Sequence, residues 1–120
     1  MEKIQLGAIE AQFADLVWEN EPLTSSALCA LCATALSWKK STTFTVLRRL
    51  CDKGLFQNIK GTVTSRMTKA EFQSLQSEQF VEDTFQGSLP AFLAAFTKQK
   101  KLTAQEVEEL RRLVKEYEEG

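Results

Sequence analysis

Residues 38–54 read W-K-K-S-T-T-F-T-V-L-R-R-L-C-D-K-G, and this run decides how the rest of the chain is read. At about 100° per residue, Thr43, Val46, Leu47 and Leu50 fall on one side of a helix. Ser41, Thr42, Thr45 and Arg49 fall on the opposite side, with Arg48 flanking them. The spacing predicts a helix over 41–52 that docks by an apolar stripe and turns short hydroxyl side chains and guanidinium groups outward. Gly54 stands where a helix ending in left-handed backbone needs a residue without Cβ.

Upstream, residues 9–18 place Ile9, Phe13, Leu16 and Val17 on one face of a first helix, which Asn20 to Pro22 end. Thr24 or Ser25 can cap a second helix, whose apolar positions Leu28, Leu31, Cys32 and Ala35 follow helical spacing. Residues 37–40 make the turn into the third helix. Downstream, Leu55 to Ile59 and Val63 to Met67 flank Lys60-Gly61-Thr62, a hairpin with glycine in its turn. Three helices followed by a two-stranded hairpin is the order of a winged helix-turn-helix.

The remainder reads as helix alone. Thr68-Lys69-Ala70-Glu71 is a capping box, with Met67 and Phe72 at the two staple positions, and its helix runs to about Gln86 before Gly87. Ser88 caps a further helix with Pro90 in its first turn. Thr103-Ala104-Gln105-Glu106 is another capping box, opening a final helix with one apolar and one acidic side. The expected fold is therefore mainly α with a small β-hairpin: a winged helix-turn-helix domain at 1–68 and a helical region at 69–120. A unit of about 60 residues buries only about 60% of its unfolded surface, so each half needs packing partners or a second copy of the chain.

Composition narrows the function. The 120 residues include no histidine, which removes the commonest general base and the commonest metal ligand together. Cys29-Ala30-Leu31-Cys32 has redox or zinc spacing, but zinc wants four ligands and Cys51 supplies at most a third. Buried packing is the expected role of Cys32. Neither a nucleophile with a partner base nor a glycine-rich phosphate loop is present, so no enzyme, metal or cofactor is expected. There is no apolar run of the roughly 18 residues that a membrane span needs. The first residues, M-E-K-I-Q-L-G, lack a signal-peptide pattern, and a cytoplasmic location is expected, with no membrane insertion.

The net charge of −1 hides an asymmetry. Residues 1–70 carry nine Lys/Arg against six Asp/Glu, whereas residues 71–120 carry six against ten. Between Trp38 and Lys69 stand eight basic residues and one acid, Asp52. Such a basic segment fits a polyanion. On the third helix the short side chains of Ser41, Thr42 and Thr45 let the backbone approach base edges, and Arg49 can reach guanine or phosphate. Lys39 and Lys40 sit at the positive end of the helix dipole, where a cation costs about 0.3–1 kcal/mol, and phosphate offsets that cost. Lys60 and Arg66 are candidate wing contacts. Double-stranded DNA is the expected partner; a winged-helix protein-interaction module that reads no DNA sequence is the alternative.

The order of these residues resembles the penicillinase-repressor family of bacterial winged-helix repressors (BlaI/MecI type). The resemblance rests on Glu10 to Trp18, on Trp38, Thr42, Thr45, Leu47, Arg49 and Leu50, and on Lys53-Gly54-Leu55. It continues through Gly87-Ser88-Leu89 with Phe96, then Leu102-Thr103 with Glu106 and Leu110. It implies a homodimeric repressor on a pseudo-palindromic operator, with the C-terminal helices joining the chains. Leu89, Phe92, Leu93, Phe96, Val107, Leu110, Val114 and Tyr117 then become the dimerisation face. Family repressors are inactivated by proteolysis at an Asn-Phe bond, which implies a membrane-bound sensor protease as a partner. The matching pair is Ala95-Phe96: the phenylalanine of that candidate cleavage site is kept and the asparagine is not. The wing also departs from the family pattern, with Thr62, Val63 and Thr64 in place of arginine and aromatics. The cysteine-free tail lacks the paired motifs of copper-responsive relatives.

Overall fold

The computed structural model describes residues 4–120, with the order α1 (Ala8–Asn20), β1 (Leu23–Thr24), α2 (Ser25–Leu36), α3 (Lys40–Asp52), β2 (Phe56–Ile59), β3 (Thr62–Ser65), α4 (Lys69–Phe85), α5 (Leu89–Gln99) and α6 (Ala104–Glu119). The chain divides into two compact units after Gln79, and each is described by itself. The expected boundary at residue 68 lies at the start of α4, whereas this division falls inside that helix.

The first unit is built on the stripes that periodicity predicts, with two shifts. Phe13, Ala14 and Val17 of α1 are fully buried, but Ile9 is 53% exposed, because it lies in the first turn at the margin of the buried stripe. In α2, Leu28 and Cys32 are buried, Ala35 faces solvent, and Leu36 packs against the core in its place. Thr24 is the cap of α2, its hydroxyl oxygen accepting the Ala27 amide at 3.0 Å. α3 buries Thr43, Val46, Leu47 and Leu50, the four positions expected. A buried Val, Leu or Phe side chain contributes roughly 1.5–3 kcal/mol, so this one stripe fixes the orientation of the whole helix. Trp38, just before α3, stacks on Phe13 at 5.6 Å, and Phe13 meets the edge of Phe56 at 6.5 Å.

The end of α3 is a hydrogen-bonded stop. Gly54 has φ +90°, its amide donates to the Cys51 carbonyl at 3.0 Å, and the Leu55 amide donates to the Leu50 carbonyl at 3.1 Å. This pair of reverse bonds is the Schellman arrangement, and it aims the chain from helix into strand.

The hairpin is tighter than the sequence suggests. Ile59 pairs with Thr62, leaving a two-residue turn at Lys60-Gly61, with φ of +52° and +84°. Two positive φ values make a type I′ turn, whose twist matches that of the flanking strands. The paired segments are accordingly Phe56–Ile59 and Thr62–Ser65, shorter than the expected runs. A third strand joins them: β1 pairs antiparallel with β3, Leu23 opposite Val63, giving the order β1-β3-β2. Two residues carry no readable alternation, which is why the sequence shows only a hairpin.

The start of α4 belongs to this unit. Its first turn is capped by the Thr68 hydroxyl, which accepts the Glu71 amide at 3.1 Å. Phe72 is 5% exposed and packs on Trp18 at 5.7 Å, and Lys69 pairs with Asp15 at 3.0 Å.

In the second unit, Gln86 and Gly87 take φ of +49° and +81° and end α4. Ser88 caps α5, accepting the Ala91 amide at 3.1 Å, with Pro90 in the first turn. Thr103 and Glu106 form the full reciprocal capping box of α6, at 2.9 and 3.0 Å. Phe80, Phe85 and Phe92 meet edge to face at 5.6–6.0 Å. No described residue of this unit is fully buried. Among the described residues, no helix is long and apolar enough to cross a membrane.

Candidate nucleic-acid interface

The outward side of α3 is as the helical wheel predicts. Ser41, Thr42, Thr45, Arg48 and Arg49 are all exposed, and so are Lys39 and Lys40 at the helix start. Lys39 holds the N-cap position, and no side-chain oxygen caps the first turn, so its amides remain open to an external acceptor. The Thr45 hydroxyl donates back to the Ser41 carbonyl at 2.9 Å, which leaves its oxygen lone pairs facing outward as acceptors. Arg48 lies over the side of the helix nearest β2, where it borders a shallow pocket of about 260 Å³ with Phe44, Leu47, Cys51 and Asn58.

The two wing candidates do not lie together. Lys60 is in the turn and Arg66 follows the last residue of β3, so the four paired residues Thr62–Ser65 stand between them. At about 3.3 Å per residue that is a separation of roughly 15–20 Å along the strand. The Arg66 amide donates to the Leu55 carbonyl at 2.7 Å, fixing Arg66 at the base of the wing rather than its tip. Both side chains are exposed.

Glu10, which sequence reasoning did not place at the site, reaches it. Its Oε2 accepts a bond from Nη1 of Arg49 at 3.3 Å, while its Oε1 accepts the Gly7 amide at 3.2 Å. Partial burial pushes the Glu10 carboxyl upward, but the Gly7 and Arg49 hydrogen bonds and the nearby charge of Lys53 hold it on balance below its ordinary value. Lys53 donates to the Gln5 carbonyl at 2.9 Å. Thirty-nine residues separate Glu10 from Arg49, so no local pattern signals the pair.

Of the thiols, Cys51 borders the site, in the pocket beside Arg48. Cys32 is buried, and burial pushes its thiol up; burial and the adjacent Asp52 do the same for Cys51. Protonated thiols are weak nucleophiles. Cys29 is partly exposed, and among the described residues no cluster of acids and cysteines could hold a metal ion.

In the second unit the expected dimerisation residues are spread over α5 and α6. Leu89, Phe96, Val114 and Tyr117 are 56%, 40%, 57% and 87% exposed, and Phe92, Leu93, Val107 and Leu110 are half-buried. Sequence reasoning missed Leu113, 63% exposed on α6. Leu102, Val107, Leu110 and Val114 line an open apolar groove of about 600 Å³. Ala95 and Phe96 lie inside α5, with their side chains exposed and the Phe96 carbonyl accepting the Lys100 amide at 3.1 Å.

A core-docked helix with a polar outer face, followed by a short-stranded wing, defines a winged helix-turn-helix protein, here with helices appended. Comparison with known proteins makes this narrower. A model of the penicillinase repressor family matches residues 6–116, and the chain belongs to that family, which is one of transcriptional repressors rather than enzymes. It is also 23% identical over 122 residues to the penicillinase repressor of Bacillus licheniformis, a match covering 98% of this chain and 95% of the relative.

Proposed function

We propose that the chain is a sequence-specific DNA-binding repressor that acts as a homodimer on a pseudo-palindromic operator. Each subunit sets α3 in the major groove, with Ser41, Thr42, Thr45 and Arg49 toward the base edges. Lys39, Lys40, Arg48 and Lys60 then meet phosphates, and Arg66 contributes from the base of the wing. The observation that carries this reading is the division of α3: four residues locked in the core, and a continuous hydroxyl-and-guanidinium face left open on the other side. Membership of a repressor family supports it.

The apolar surface of the second unit supports homodimerisation. An apolar surface of this size, on helices with no fully buried residue, is satisfied by a second copy presenting the same surface. Two subunits would then place their α3 helices in grooves a whole number of turns apart, at roughly 10 bp per turn.

The test begins with selection of a binding sequence from a random duplex pool. Contact with six to ten phosphates predicts a fall in affinity of about 10³–10⁵ between 50 and 200 mM salt. Arg49→Ala is expected to cost on the order of 1–3 kcal/mol and to relax discrimination at one position. Full-strength binding by the Thr42→Ala, Arg49→Ala double variant overturns the assignment. Weak, salt-insensitive DNA binding together with tight binding of an acidic protein would favour an interaction module instead.

A further inference from the structure

We infer that Glu10 is a positioning residue for Arg49, converting it from a general phosphate anchor into a base-reading group; this rests on the function proposed above. Arg49 lies on the outward face of α3 between exposed Thr45 and Thr42, and its Nη1 reaches Glu10 in the first turn of α1 at 3.3 Å. The carboxylate there has an anchor besides Arg49. One oxygen is held by the Gly7 amide, and the Glu10 side chain is only 18% exposed. Arg49 gives it one N–H through Nη1, and its side chain remains 53% exposed.

An arginine carries five N–H donors in a planar fork. With one donor committed to Glu10, the others remain for an external acceptor, and the plane of the fork is restrained. A guanine edge offers two acceptors in the geometry that a restrained fork can meet. A phosphate, by contrast, attracts any nearby cation irrespective of sequence. The negative charge of Glu10 beside Arg49 offsets part of its positive field, so that contact with DNA at this position releases less counterion. The pair therefore exchanges affinity for all DNA against discrimination among sequences.

The test uses the full-length chain carrying Glu10→Gln. Glutamine keeps an oxygen for the Gly7 amide, so the cap of α1 is retained while the charge is removed. Binding is measured against the selected duplex and against a random-sequence duplex, over a range of salt. The expected result for Glu10→Gln is a 3–10-fold tighter hold on the random duplex at low salt (about the contribution of one phosphate contact) and a log–log salt slope steeper by about 1. The ratio of selected to random affinity is expected to fall about tenfold. In an Arg49→Ala background, Glu10→Gln is expected to change neither quantity.

A folded Glu10→Gln chain with unchanged slope and ratio overturns the inference, and so does an equal effect in the Arg49→Ala background. Arg49→Lys supplies a second arm, since it keeps the charge and loses the fork: discrimination is expected to fall while random-duplex affinity is retained, and unchanged discrimination counts against the inference. The repressor reading and the role of Glu10 fail separately. A wild-type chain that does not discriminate the selected duplex removes the repressor reading, whereas a discriminating wild type indifferent to Glu10→Gln removes only the role of Glu10.

Discussion

The indole N–H of Trp18 on α1 donates to the backbone carbonyl of Met67 at 2.9 Å, tying the end of the wing to the first helix. The same ring meets Phe56 of β2 at 5.5 Å and Phe72 of α4 at 5.7 Å. One side chain thus joins the first helix, the wing and the start of α4.

Trp18→Phe is expected to keep part of the ring contact and lose the bond. A polar group left without its partner costs about 1–3 kcal/mol, and the partial exposure of this one points to the lower end of that range. Chemical denaturation of wild type and variant measures the difference. Equal midpoints would mean that water replaces the indole at no cost.

Gly54→Ala isolates the backbone at the end of α3. A Cβ there meets nothing within 4 Å, so any cost comes from φ +90° and not from a clash. The expected loss is about 1–2 kcal/mol, the usual price of left-handed backbone for an L-residue. Thermal unfolding reads it, and an unaffected melting temperature would show that the helix end can relax to negative φ.

Leu113 and Val114 test the proposed dimer. They are 63% and 57% exposed, so a charge there is harmless to an isolated subunit and disruptive in a shared apolar interface. Leu113→Glu, Val114→Glu is expected to yield folded monomers by light scattering and to reduce operator affinity at least tenfold (about 1.4 kcal/mol). A dimer of unchanged stability would place the interface elsewhere.

Acid should weaken the fold in part through two carboxyls. The Thr103 amide, donating to the carboxylate, holds Glu106 below its ordinary value of 4.5, and Glu10 is lowered as well. A folded-state value below the unfolded one contributes stability that is fully present above pH 4.5 and is lost as pH falls through the folded value. Glu10→Gln is therefore expected to flatten the stability profile below about pH 4.5. Denaturation midpoints across that range measure it, and parallel profiles for wild type and variant would contradict the sign.

Much of this protein was legible along the chain. Helical spacing located the stripes of α1, α2 and α3, and Thr24, Ser88 and Thr103 announced the helix starts, because capping is a contact between residues three apart. The outward set on α3 followed from the same periodicity. Ile9 and Ala35 were misplaced because a helical wheel does not say how wide a buried stripe is; neighbouring elements decide that.

Local order, in short, was determined by sequence alone: which segments coil, where they stop, and which side of α3 is polar. These depend on interactions between residues a few positions apart. Tertiary structure alone decided that Leu23–Thr24 joins the sheet, that Lys60 and Arg66 stand at opposite ends of β3, and that Glu10 meets Arg49. Such contacts join residues far apart in the chain, and only the packing of the core brings them within reach of one another.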